Sequence, residues 1–248
     1  MWPYNIPERF QKLSSGSLKM IAIVTMFIDH AAVALLLFPV LLPNAPIRRG
    51  TEMYDLLQIY RAMRFIGRVA FPIFCFFLAE GFFYTRNRLK YAARLLVFAF
   101  VAEIPFDLAL EGGKLFSWDS QNTLFTLLFG FLAIWAFDYF SDKWYLQLPL
   151  VLACFAAARF CHTDYGWRGV LVIFVFYLLH NWRIPQLIAG FVALSFISGE
   201  FPGILLALPL LILYNGKRGR MPKYLFYAFY PGHLLLLYFL SRVISGGV

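Results

Sequence analysis

The chain has 248 residues and a net charge of +9, with 22 Lys and Arg against 13 Asp and Glu. It is 61% hydrophobic and 14% charged, with a mean hydropathy of +0.70. Soluble domains are near half apolar and a quarter charged, so the composition excludes an ordinary soluble domain and predicts an all-α, polytopic membrane bundle. The basic excess then belongs to cytoplasmic loops rather than to a nucleic-acid surface.

The first seventeen residues hold Pro3, Glu8, Arg9 and Lys12 but no apolar core, so no cleavable signal peptide is expected. Apolar runs predict spans at 18–39, 63–83, 92–110 and 122–140, shorter ones near 145–160, 167–181, 184–199 and 201–214, and a last one near 224–243. This gives about nine transmembrane helices, within a range of eight to ten. The short runs fall below the ~20 residues that a crossing needs, and they suit half-helices or re-entrant segments. No linker or repeat divides the chain, so residues 1–248 are expected to form a single domain. Cys75, Cys154 and Cys161 lack any CxxC spacing, which argues against a disulfide framework or a metal site.

Charge orients the spans. Arg86, Arg88, Lys90 and Arg94 follow the second span, and Lys217, Arg218, Arg220 and Lys223 precede the last. The stretch near 111–119 carries Glu111 and Asp119 against Lys114. The positive-inside rule puts the two basic loops in the cytoplasm and the acidic one outside, with the N-terminus inside. Arg48 and Arg49 in the first outer loop run against that rule.

Several intramembrane groups call for an explanation, since an ionisable side chain at that depth costs roughly 2.5–3.5 kcal/mol on insertion scales. The first span carries Asp29 and His30 near its middle, and Lys19 eleven residues earlier on the same helix face, about 16 Å away. His30 suits a general base; the competing reading is a histidine that bonds another helix as packing glue. Asp29 points about 100° away from His30 around the helix. Arg61, Arg64 and Arg68 form a stripe that precedes Phe71-Pro72 and Glu80-Gly81, and Pro72 is expected to kink the helix. Arg61 reads as a snorkelling end residue. Glu103 and Asp107, spaced i, i+4 around Pro105, could bind an ammonium group or pair with Arg64 or Arg68. Tyr230-Pro231-Gly232-His233 places a second histidine beside a helix break. The two basic loops suit phosphate, although topology alone also explains them.

Taken together, these stretches resemble the TraX family. They are Lys19 with Asp29-His30; Ile66-Gly67-Arg68 with Phe71-Pro72; Glu80-Gly81 with Thr85-Arg86; Lys90-Tyr91 with Arg94; Glu103 to Asp107; Tyr165-Gly166; Tyr214-Asn215-Gly216; and Tyr230-Pro231 with His233. The resemblance runs over nearly the whole chain. It implies an inner-membrane acetyltransferase that uses acetyl-CoA, because the conjugative-plasmid protein that gives the family its name N-acetylates the pilin subunit. The spacing from Lys19 to His30 also resembles the Arg-x10-His signature of wider membrane acyltransferase families, with Lys in place of Arg.

On this resemblance His30, Asp29 and Glu80 form the catalytic group, with His30 as base. Lys19, Arg68, Arg86, Arg88, Lys90, Arg94, Lys217, Arg218 and Arg220 hold acetyl-CoA, and no metal takes part. Arg64, Glu103, Asp107, Tyr230 and His233 face the acceptor, an amine of a pilin or peptide N-terminus in preference to a glycan-like hydroxyl. The other expected partner is the lipid bilayer of the cytoplasmic membrane. The alternative is a transporter that uses the intramembrane His, Asp and Glu residues as a proton or cation path.

Overall fold

A computed structural model of the chain describes residues 6–196, 201–219 and 225–246. Among these the fold is all-helical, without a strand. Helix α1 (Ser15–Ala31) starts at Ser14, whose hydroxyl accepts from the Ser17 N–H at 3.2 Å. It continues without interruption as a π-wound segment, Ala32–Leu41. Helices α2 (Glu52–Gly67) and α3 (Ala70–Tyr84) form one long apolar stretch. They are followed by α4 (Arg88–Leu110), α5 (Thr123–Tyr139), α6 (Trp144–Phe160), α7 (Gly166–Leu178), α8 (Arg183–Ser195), α9 (Phe201–Ile204), α10 (Ala207–Ile212) and α11 (Leu225–Ile244). Ser15–Leu41 and Glu52–Tyr84 are long and apolar enough to cross a membrane.

The break between α2 and α3 falls at Arg68–Val69, ahead of the expected kink at Pro72. Pro72 sits in the first turn of α3, where its missing N–H costs nothing. The second span also begins eleven residues before the predicted one. Thr51 caps it by accepting from the Tyr54 N–H, and the charges of Glu52, Asp55 and Arg61 had lowered the apolar signal there.

The two ends of the bundle differ in charge. At the basic end, the Leu13 N–H donates to Leu213 at 2.8 Å, and Arg88 on α4 pairs with Asp138 on α5 at 2.5 Å. At the far end, the Gln121 N–H donates to His162 at 2.9 Å and the Asp164 N–H to Gln121 at 2.8 Å. The Tyr214 hydroxyl donates to Glu80 near the end of α3, so the described parts of the two basic loops share one end, and the acidic loop lies at the other.

Helix α3 is central, with α1, α5 and α7 against it. Phe76, Phe82, Phe131 and Phe176 are fully buried, and Phe76 meets Phe176 edge-on at 5.6 Å. Small residues let the helices approach. A Cβ on Gly130 would come within 2.2 Å of Ile173, so α5 and α7 cross where only hydrogen fits.

The short runs near 184–199 and 201–214 do not each cross the bundle. Arg183, at the start of α8, donates to Leu211 at the end of α10 at 2.6 Å, so α8, α9 and α10 form a hairpin that returns to the basic end. Its described tip stops at the α2–α3 break, where a Cβ on Gly203 would lie 2.5 Å from the Phe65 carbonyl and 3.1 Å from Arg68. Paired half-helices of this kind are one of the arrangements that suit such short apolar segments.

Candidate functional site

The site begins where α1 meets α2. A Cβ on Gly67 would overlap Asp29, at 2.3 Å from its Cβ, so glycine there lets the Asp29 side chain lie against the arginine helix. Arg64 Nη1 donates to Asp29 Oδ2 at 2.5 Å, and Arg68 Nη2 lies 3.3 Å from Oδ1. All three side chains are largely buried, at 28%, 9% and 12% exposure for Arg64, Arg68 and Asp29. The arginines thus pair with the carboxylate of α1 and not with Glu103 or Asp107.

One helical step on, His30 faces α11. Its Nδ1 lies 2.7 Å from His233 Nε2, and the two rings are parallel to within 7°. His233 Nδ1 lies 2.8 Å from the Phe229 carbonyl. A carbonyl only accepts, so His233 carries its proton on Nδ1. In the neutral pair His233 Nε2 is then the acceptor, His30 Nδ1 the donor, and the lone pair of His30 lies on Nε2. A partner ring thereby sets which nitrogen of His30 can take a proton.

Asp29, His30, Arg64 and Arg68 line a cavity of about 230 Å³, with Tyr165 and Asp164 opposite. Tyr165 stacks on Phe71 at 3.4 Å, and Asp164 accepts from the Thr123 hydroxyl at 2.7 Å. Glu111 also lines it, just past the end of α4. Burial pushes the Glu111 carboxyl above its ordinary range, opposed by Lys114. The loop residues Ser120, Asp164 and Glu111 put the mouth of the cavity at the far end.

A second cavity, also about 230 Å³, runs between Lys19, Tyr91, Leu127 and Tyr230. It shares Met26, Phe74 and Thr123 with the first. Lys19 stands over the Phe77 ring at 5.1 Å. The Tyr230 ring lies edge-on to His30 at 6.1 Å, so Tyr230 belongs to the wall between the two spaces.

The other candidate residues lie elsewhere. Glu80 is near the basic end, where the Tyr214 hydroxyl donates to its Oε1 at 2.7 Å; it does not line the His30 cavity. Glu103 accepts from the Asn122 backbone N–H at 3.2 Å and from the Asn122 side-chain amide. Asp107 accepts from the Ser117 N–H at 2.8 Å. Both acids therefore pin the 117–122 loop, and neither lines the cavity. Arg88 is taken up by Asp138 and by the Phe82 ring at 4.1 Å. Arg86, Lys90, Lys217 and Arg218 are exposed at the basic end. Arg94 Nε is buried with no hydrogen-bond partner among the described residues. Arg220 lies outside the described residues. Carbonyls of Lys217 and Arg218 accept from the Ser15 and Gly16 N–H groups, at 2.8 and 3.0 Å, so this loop closes over the start of α1.

Sequence reasoning assigned no role to Asn122, Asp164, Met26, Phe74 or Tyr165. Asn122 was legible as an N-cap ahead of an apolar run. The others become neighbours only through tertiary packing.

The fold and site define an all-helical bundle in which His30, backed by His233, and a largely buried Asp–Arg cluster line one internal cavity, with a second cavity beside it. The family model described as TraX protein matches residues 14–241, and the chain belongs to that family. A curated relative from Dichelobacter nodosus, "Probable fimbrial assembly protein FimC, serogroup H1", is 32% identical in an alignment covering 90% of this chain and 94% of its own. No solved structure matches the chain.

Proposed function

We propose that the protein is an integral membrane acyltransferase of the cytoplasmic membrane. It moves an acetyl group from cytoplasmic acetyl-CoA to an acceptor that enters from the far end of the bundle. The observation that carries this reading is the His30–His233 contact, which leaves His30 Nε2 as the proton-accepting nitrogen on a ring that lines a cavity with its loop residues away from the basic end. Lys19, Lys90, Lys217 and Arg218 supply cations for the phosphates of CoA at the other end.

The chemistry follows from that tautomer. His30 Nε2 takes a proton from the acceptor amine or hydroxyl as its nitrogen or oxygen attacks the thioester carbonyl. The tetrahedral intermediate then collapses, the C–S bond breaks, and the imidazolium returns the proton to the leaving sulfur. Asp29, held by Arg64 and Arg68, fixes the helix on which His30 sits. It is an anchor for the site rather than a proton carrier.

A membrane setting is supported by the apolar composition and by rows of exposed apolar side chains, such as Val97, Phe100, Val101 and Ile104 along α4. An amine acceptor, such as the N-terminus of a pilin-like subunit, is in keeping with the family and with a relative named for fimbrial assembly. The test is acetyl transfer from labelled acetyl-CoA by detergent-purified protein, with a peptide bearing a free N-terminus as acceptor. Label should enter the peptide and be blocked by prior N-acetylation of that peptide. No acceptor-dependent loss of acetyl-CoA, together with proton uptake into protein-containing liposomes, would favour the transporter instead.

A further inference from the structure

Of the internal spaces, the second cavity has no role so far. It is built like a sleeve. Lys19 stands near its basic end and Thr123 toward its other, with the apolar walls of Leu78, Leu95, Leu124 and Leu127 between them. Tyr91 and Tyr227 add hydroxyl-bearing rings. Along α1 the distance from Lys19 to His30 is eleven residues, about 16 Å at 1.5 Å per residue.

A ligand suited to this space is long, thin and weakly polar in its body. It is anionic at the Lys19 end and reactive at the His30 end. A nucleotide-linked pantetheine thioester has that profile. Its phosphates would meet the cations of the basic end, its amide-bearing arm would fill the sleeve, and its thioester would arrive at the partition. Met26 and Phe74, both partly buried, line both cavities. Whatever extends past the sulfur must pass these two side chains. One is a flexible thioether and the other a rigid ring.

We infer that the cavity between Lys19 and Thr123 seats the pantetheine arm of the acyl donor, and that Met26 and Phe74 limit the length of acyl group that can be transferred. This rests on the acyltransferase reading and extends it, because it names the part of the donor held and the residues that set chain length. The small partition keeps transfer to short acyl groups, and opening it admits longer ones.

Two measurements test this. In the first, calorimetry compares CoA with adenosine 3′,5′-bisphosphate, which has the nucleotide phosphates but no arm. Leu124→Trp fills the sleeve and should weaken CoA about tenfold or more while leaving the bisphosphate unchanged. The retained bisphosphate binding also shows that the variant is folded. Equal weakening of both ligands, or of neither, would overturn the assignment. In the second, turnover of acetyl-CoA and octanoyl-CoA is compared in the wild type, Met26→Ala, Phe74→Ala and the milder Phe74→Leu. The octanoyl-to-acetyl ratio of kcat/KM should rise about tenfold or more when either side chain is cut back. An unmoved ratio in variants that still turn over acetyl-CoA would overturn the length limit. The two readings separate cleanly: full turnover in His30→Gln would remove the proposed base while the arm-dependent binding stood.

Discussion

His30 Nδ1 and His233 Nε2 lie 2.7 Å apart, and His233 is itself fixed by the Phe229 carbonyl. This chain of two bonds decides the tautomer of His30. Replacing His233 with Phe keeps the ring volume and removes the acceptor, so His30 is free to place its proton on either nitrogen. The expected result is a fall in kcat of about 10- to 100-fold with KM little changed, since positioning of a base is at stake rather than binding. His233→Gln offers an acceptor oxygen and should recover part of the loss. Equal loss in kcat and in thermal stability for both variants would make His233 a packing residue only.

The Asp29 carboxylate bonds to Arg64 and lies beside Arg68, and this pairing carries a stability prediction. Removing one partner from a buried pair costs up to about 3–5 kcal/mol, and less here to the extent that Asp164, on the same cavity and in the field of both arginines, compensates them. Asp29→Asn should therefore lower the melting temperature clearly, and Asp29→Asn combined with Arg68→Met should recover much of it. If the double variant melts below the single one, the cluster does not work as a charge pair.

His180 offers a pH test outside the helices. It follows α7 and stacks on Phe83 at 3.8 Å. Burial, with Arg183 beside it, pushes its pKa from 6.5 down to about 4. The unfolded chain therefore binds this proton more readily than the folded one. The stabilising contribution is present above the unfolded value and is lost as pH falls from about 6.5 toward 4. The ring is half-exposed, so the expected effect is about 1 kcal/mol rather than the full shift. His180→Phe keeps the stack and should melt with a shallower dependence between pH 7 and 4.5. An unchanged slope would contradict this.

The exposed cations of the basic end carry the prediction for the donor. CoA affinity should fall as salt rises, and Lys217→Ala with Arg218→Ala should weaken it and flatten that dependence. Calorimetry across a salt series checks both. An unaltered Kd in the double variant would move the phosphate site away from this loop. Cysteine labelling in intact cells checks orientation: Arg88→Cys should be shielded from outside and Lys114→Cys labelled.

Much of the helical framework was legible in the apolar runs, because long apolar stretches demand internally bonded backbone. One departure and one point left open have local causes. Charges at Glu52, Asp55 and Arg61 hid the first half of the second span. The α8–α10 hairpin shows its turn-back only through the Arg183–Leu211 bond and the tip at Gly203. In the site, Asp29, His30, Arg64, Arg68 and His233 stood out as ionisable groups in or beside apolar runs, and the structure buries all but Arg64, which is partly buried. Their pairing was not legible. Arg64 could equally have met Glu103 or Asp107, and only the close approach at Gly67 selects Asp29. Met26 and Phe74 carry no chemical signal, since their place comes from the two cavities they separate.

The central claim is that His30 Nε2 takes the proton of the acceptor, and one measurement addresses it directly. Acetyl transfer by detergent-purified His30→Gln is compared with the wild type, beside melting curves and CoA binding for both. Glutamine keeps a hydrogen bond to His233 but cannot serve as a base. The expected loss is about 10²–10⁴-fold in kcat, or roughly 3–5 kcal/mol in barrier, with the melting temperature and CoA affinity retained. Wild-type transfer by His30→Gln would contradict the account.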